Sequence, residues 1–289
     1  RKAAPAATKE PDLQHDRSKT YPLPPDRPDR FLQSLGIMNS EGRVVPHMAS
    51  KLSQINEFLK LLEHTGELHK FGEKCVEILD CGSGSSYLSF AVYHYLNNVL
   101  YIPARLTGID TNEELVAKSN ASSAELEFGE MCFTRAAIAE YKPETPPDIV
   151  LALHACDTAT DDAFALGVRW NARLILAVPC CHHHLHAQLE PKAPFQATMH
   201  DGILKKRLAD ILTDTFRAQA LRISGYKTDV VEFVSSEHTD RNLMIRAVRH
   251  ERLNRTKAVR EYDELKAFWG VKPFIEEALR DAWKVTSEE

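Results

Sequence analysis

From residue 71 to residue 250, short apolar runs alternate with stretches whose apolar positions recur every three or four residues, the pattern of a sheet interleaved with helices. Val76-Glu77-Ile78-Leu79 predicts a strand and Tyr87 to Leu100 a helix; Leu106-Thr107-Gly108-Ile109 predicts a second strand, followed by a helix from Asn112. Cys132-Phe133-Thr134 is a weaker third strand and Asp148 to Leu153 a strong fourth. Asp161 to Val168 predicts a helix, Leu174 to Val178 a fifth strand, and Ile203 to Ile223 a long helix with Leu204, Leu208, Ile211 and Phe216 among its apolar positions. Two strands then follow without a helix between them, Val230 to Val234 and Leu243 to Val248. Their connector, Ser235 to Asn242, is shorter than the crossover of roughly a dozen residues that a parallel pair needs, so this pair is expected to be antiparallel. The prediction is a doubly wound α/β fold on a seven-stranded, mostly parallel sheet with an antiparallel last pair.

Outside that stretch the pattern changes. Residues 1–30 mix charge with Pro5, Pro11, Pro22, Pro24, Pro25 and Pro28, which denies them a regular element, and an extended or disordered arm is expected. Residues 31–70 read as an N-terminal helical segment: a turn at Asn39-Ser40-Glu41-Gly42 precedes a helix from Pro46 to Glu63 whose Ile55, Phe58, Leu59 and Leu62 form one apolar stripe. Residues 71–250 carry the sheet, and residues 251–289 predict one or two amphipathic helices packed on its outside.

Composition narrows the setting. With 43% apolar and 27% charged residues the chain is an ordinary globular protein. No run approaches the roughly 20 apolar residues of a membrane helix, and the N-terminus lacks a secretory apolar core, so a cytoplasmic location away from membranes is expected. The six cysteines lie mostly inside apolar runs, without the spacing of a disulfide framework, and read as reduced thiols. A net charge of -5 weighs against a nucleic-acid binder while leaving room for a local basic patch. The chain opens at Arg1 rather than Met, and further sequence is expected upstream. The pattern does not speak to oligomeric state.

In Asp80-Cys81-Gly82-Ser83-Gly84-Ser85-Ser86, glycines at alternate positions follow a strand and open a helix, where glycine lets the backbone turn tightly and approach a ligand. Asp80 ends the strand, and Asp110, with Thr111 after it, ends the next, where a carboxylate can accept both ribose hydroxyls of a nucleoside. Ser86 replaces the third glycine of a pyrophosphate site, which disfavours a dinucleotide. The bland alternatives are a ligand-free turn and Asp110 as a helix cap.

Two further runs, Leu153-His154-Ala155-Cys156-Asp157-Thr158-Ala159-Thr160-Asp161 and Pro179-Cys180-Cys181-His182-His183, resemble the HAC-x-x-ATD and PCCHH motifs of a group of class I S-adenosylmethionine-dependent methyltransferases. That group includes bacterial methyltransferase-domain proteins, eukaryotic acceptor-stem tRNA 2'-O-methyltransferases, and animal proteins pairing this domain with a glutathione-transferase-like one. The resemblance covers residues 31 to 250 and implies S-adenosylmethionine as cofactor, with S-adenosylhomocysteine as product. By the same resemblance Asp80, Cys81, Gly82, Ser83 and Gly84 form the cofactor loop, Asp110 and Thr111 the ribose side, Ala137 and Ile138 the adenine flank, and Lys51 and Gln54 the methionine end, with His154 also a cofactor-binding candidate. Asp157 stands where the tRNA-modifying branch tends to have Gly, which leaves the substrate open.

Ligands of such sheets bind outside the carboxyl ends of the strands, which puts His154 and Asp157 after strand four, and Cys180, Cys181 and His182 after strand five, forward as catalytic candidates. Each has a structural alternative: His154 as a core histidine, Asp157 as a helix cap, and the cysteines as small residues lining the strand end rather than a thiolate nucleophile. Because zinc sites usually use separated pairs and adjacent side chains do not all converge on one ion, no metal is expected, although His182 and His186 share a helix face. The expected function is methyl transfer to RNA, tRNA or rRNA; the alternatives are a protein or small-molecule acceptor, or a non-catalytic binding module.

Overall fold

The computed structural model describes residues 21–232, 243–250 and 254–286. Residues 21–29 have no regular element but are docked rather than free. Leu23 is buried, and the buried Asn56 side chain accepts from the Leu23 amide at 2.8 Å and donates to its carbonyl at 3.0 Å. Residues 1–20 of the expected arm lie outside the described residues.

Helix α1 (Arg30–Ser34) leads to α2 (Ala49–Glu63), on which the predicted stripe of Ile55, Phe58, Leu59 and Leu62 is fully buried. Strand β1 (Val76–Cys81), α3 (Tyr87–His94), β2 (Ala104–Asp110), α4 (Glu113–Glu125), β3 (Met131–Arg135), β4 (Ile149–Ala152), α5 (Thr158–Arg169) and β5 (Leu174–Ala177) follow in the expected alternation. A π-helical turn over Tyr95–Val99 ends α3 short of the predicted Leu100, and Asn112 caps α4 through its side chain. Between β3 and β4 the chain has only a short 3-10 turn, Ile138–Glu140. The short α6 (His183–His186) and α7 (Gln196–His200) precede the long α8 (Gly202–Ile223).

Strands β6 (Tyr226–Glu232) and β7 (Leu243–Arg249) complete a seven-stranded sheet of order β3-β2-β1-β4-β5-β7-β6, in which β7 runs antiparallel to both β5 and β6. The short-connector argument therefore holds; the connector itself lies outside the described residues. At the C-terminus α9 (Thr256–Trp269), α10 (Phe274–Ala278) and α11 (Arg280–Thr286) replace the one or two helices expected. The sheet separates two apolar layers: α2 and α3 close one side through Phe58, Leu62 and Val92, and α5, α8 and α9 close the other through Phe164, Phe216 and Tyr262. Burial of the central strands on both faces explains why their sequences read as continuous apolar runs. Among the described residues no helix is long and apolar enough to cross a membrane.

Candidate active site

The chain leaves β1 through three left-handed residues at alternate positions, Gly82 (φ 69°), Gly84 (φ 53°) and Ser86 (φ 55°). Glycine is required at the first two for space as well as conformation: a β-carbon on Gly82 would lie 3.2 Å from the Ala155 backbone, and one on Gly84 3.0 Å from the His154 side chain. Ser86 takes the third position at a backbone cost and is held there by its hydroxyl, 3.1 Å from that of Ser119. The loop is thus pressed onto the carboxyl end of β4, and the amides of Gly82 and Ser83 donate to the Ile109 carbonyl at 2.8 and 3.0 Å.

Asp110, half-buried at the end of β2, accepts from the Gly84 amide at 2.8 Å with one oxygen and from the Asn112 amide at 2.8 Å with the other. A carboxylate offers about four lone-pair positions, so each oxygen retains one for a further donor. The Asp110 carbonyl receives the Ala136 amide at 3.0 Å, which sets exposed Ala137 and half-buried Ile138 beside it. Thr111 is exposed at the same edge.

Three residues of the predicted cofactor loop lie beneath it instead. Asp80 and Cys81 are fully buried and Ser83 nearly so. Burial raises the Asp80 carboxyl to about 7, opposed by the hydrogen bond from Ser89 and reinforced by Asp110. One Asp80 oxygen accepts from Ser89; the other is buried without a partner among the described residues. Burial likewise raises the Cys81 thiol, with Asp80 adding to it.

At the β4 side, His154 follows the strand half-buried, with Nε2 enclosed and without a partner among the described residues. Burial lowers its pKa, with Asp110 opposing, so the neutral imidazole is favoured. Tyr87 packs its ring 6.1 Å from that of His154, carries the Lys51 ammonium 4.7 Å from its centroid, and donates to Gln54 Oε1 at 3.3 Å. The fold therefore gathers Lys51 and Gln54 of α2 with His154, through a tyrosine that motif reading missed; its one sequence signal is an aromatic at the first helical position after the glycine loop.

The remaining candidates divide. His182 is buried, with its two ring nitrogens 3.0 and 2.9 Å from the Asp210 and Asp214 carboxylates of α8, so it anchors the β5 loop and is not free to share a metal with His186. Asp157 occupies the cap position of α5 without a capping bond; its carboxylate accepts from the His184 amide at 3.2 Å, and its backbone is strained (φ 52°, ψ -123°). Its carbonyl accepts from Arg217 at 2.7 Å. Arg217, 1% exposed, also holds Asp161 through two bonds of 3.0 and 2.9 Å and lies 3.3 Å from Asp214. This buried network ties the loops after β4 and β5 together. Cys180 and Cys181 come together with Cys156, which stands in the HAC-x-x-ATD run but was not among the site candidates: Sγ–Sγ separations are 3.1 Å (156–180), 3.6 Å (180–181) and 3.8 Å (156–181). Burial and the neighbouring thiols push the Cys180 thiol up to about 12, which disfavours a resting thiolate.

The cradle suits a phosphate-free nucleoside: a glycine loop with no room for side chains, a strand-end carboxylate with acceptor capacity left, and an open flank at Ala137–Ile138. Residues 50–188 match a family whose model is described as a methyltransferase domain, a span that contains every predicted site residue. Just under half of the chain therefore matches a methyltransferase domain. None of the curated proteins compared with it matches. Solved structures similar to it include magnesium protoporphyrin IX methyltransferase from Synechocystis PCC 6803 (16% identity, TM-score 0.43, 75% of this chain and 93% of that one). An rRNA methylase from Streptococcus thermophilus (7% identity, TM-score 0.43, 66% and 96%) and a geranyl diphosphate methyltransferase (13% identity, TM-score 0.41, 66% and 79%) are also similar. These likenesses carry no argument about what this chain does.

Proposed function

We propose that the glycine loop and Asp110 hold S-adenosylmethionine and that the enzyme methylates RNA, with tRNA or rRNA as the acceptor class. The carrying observation is the contact of Gly84 with His154, which joins the nucleoside cradle to the end of β4. The cofactor, when bound, supplies a sulfonium methyl that is transferred by in-line displacement, so the protein's work is mainly positioning and proton acceptance. Asp110 accepts the ribose hydroxyls, Ala137 and Ile138 flank the adenine, and Lys51, Gln54 and Tyr87 border the methionine end. His154, kept neutral by burial, stands at the end of β4 as the base for a hydroxyl acceptor. The PCCHH resemblance and the exposed Lys206 and Arg207 on the first turns of α8 support RNA; Asp210, in the next turn, reaches His182 beside the β5 loop, so this basic cluster borders the acceptor end. The net charge of -5 favours a second reading, a protein or small-molecule acceptor. Tritiated methyl transfer into total RNA and total protein separates the two: label in RNA, lost on Lys206→Glu with Arg207→Glu, is expected, and label confined to protein contradicts the RNA reading.

A further inference from the structure

Cys156, Cys180 and Cys181 bring three sulfurs within 4.8 Å of one another from two loops far apart in sequence. A zinc–sulfur bond of about 2.3 Å and tetrahedral angles place thiolate sulfurs about 3.8 Å apart. Two of the three separations, 3.6 and 3.8 Å, already lie at that value, and the third, 3.1 Å, has only to open. Adjacent Cys180 and Cys181 sit where the chain between Pro179 and His182 is irregular, and the third sulfur arrives from the β4 loop. His182, clamped between Asp210 and Asp214, fixes one loop, and Arg217 fixes the other through the Asp157 carbonyl, so the three sulfurs are presented on a braced frame.

We infer that Cys156, Cys180 and Cys181 form a binding site for a thiophilic divalent cation, zinc in the first instance. Thiolate sets select such ions over the hard cations that oxygen ligands prefer. Binding exchanges the thiol protons, which pass to solvent, for the ion, so affinity rises with pH. Three protein ligands leave a fourth position, and Cys156 is exposed, so that position opens to solvent as in zinc centres that take an exogenous ligand. It lies two residues beyond His154, on the acceptor side of the proposed cofactor cradle. The site does not depend on which acceptor the enzyme uses.

The test uses the full chain, reduced, loaded with zinc, dialysed and analysed for bound metal, with cobalt substitution as the spectroscopic readout. About one zinc per chain and a thiolate-to-cobalt charge-transfer band are expected. Cys156→Ser, at an exposed position, should lose both while keeping the thermal unfolding of the metal-free protein, and Cys180→Ser should lose both whether or not stability falls. Cys132→Ser, an exposed cysteine of β3, should change neither. A wild-type protein that retains no zinc after full reduction overturns the proposal, as does retention by Cys156→Ser equal to wild type; a Cys156–Cys180 disulfide with no metal affinity in the reduced form would replace the site by a redox pair.

Discussion

Asp80 shows how a motif residue can be right in place and different in role. Its carboxyl sits under the glycine loop rather than in the cleft, and burial holds it protonated to about pH 7. Because its folded pKa lies above the ordinary 3.8, the stability it contributes is fully present below 3.8 and is lost as pH rises through about 7. Asp80→Asn keeps an acceptor for Ser89 without a titrating proton. Thermal unfolding of the ligand-free protein should therefore show the variant gaining on wild type between about pH 4 and pH 7 and levelling off above it; a constant difference across that range would mean that the Asp80 carboxyl is not raised. His154 has the opposite consequence, since its lowered pKa costs stability as pH falls below its ordinary value of 6.5.

Among the elements, the loops after β4 and β5 owe their geometry to α8. Arg217 and its aspartates are buried together, and removing one member strands the others. Arg217→Met is expected to cost about 3–5 kcal/mol in denaturant unfolding, with much of that recovered when Asp161→Leu and Asp214→Leu are added. A cost below about 1 kcal/mol would mean that the network is solvated. Strands, helices and the antiparallel closing pair were legible in the sequence because each is set by local spacing of apolar residues. Arg217 was not, because its partner Asp161 lies 56 positions away and an Arg three residues after an Asp reads locally as a solvated surface pair. Cys156 was missed for the same reason: its meeting with Cys180 depends on β4 and β5 being neighbours in the sheet.

For the whole molecule, the sheet brings the glycine loop of β1, the carboxylate of β2, the Ala137 flank after β3 and His154 after β4 to one edge, while the loop after β5 and the basic start of α8 extend that edge. The glycine spacing and strand-end acid made the proposed nucleoside cradle legible in the sequence because backbone geometry dictates them. The proposed methionine and acceptor ends depend on side chains from α2, α3 and the loops after β4 and β5 that meet only in the fold, which is why Tyr87 and the meeting of Cys156 with Cys180 escaped motif reading. The central claim is that this edge holds an adenosyl ligand through Asp110. Calorimetric titration of S-adenosylhomocysteine into wild type and Asp110→Ala tests it most directly: one-to-one binding by wild type and affinity weakened about 10-fold or more in the variant, with thermal unfolding still cooperative, are predicted. Equal affinity in the two proteins, or no binding by folded wild type, would contradict it.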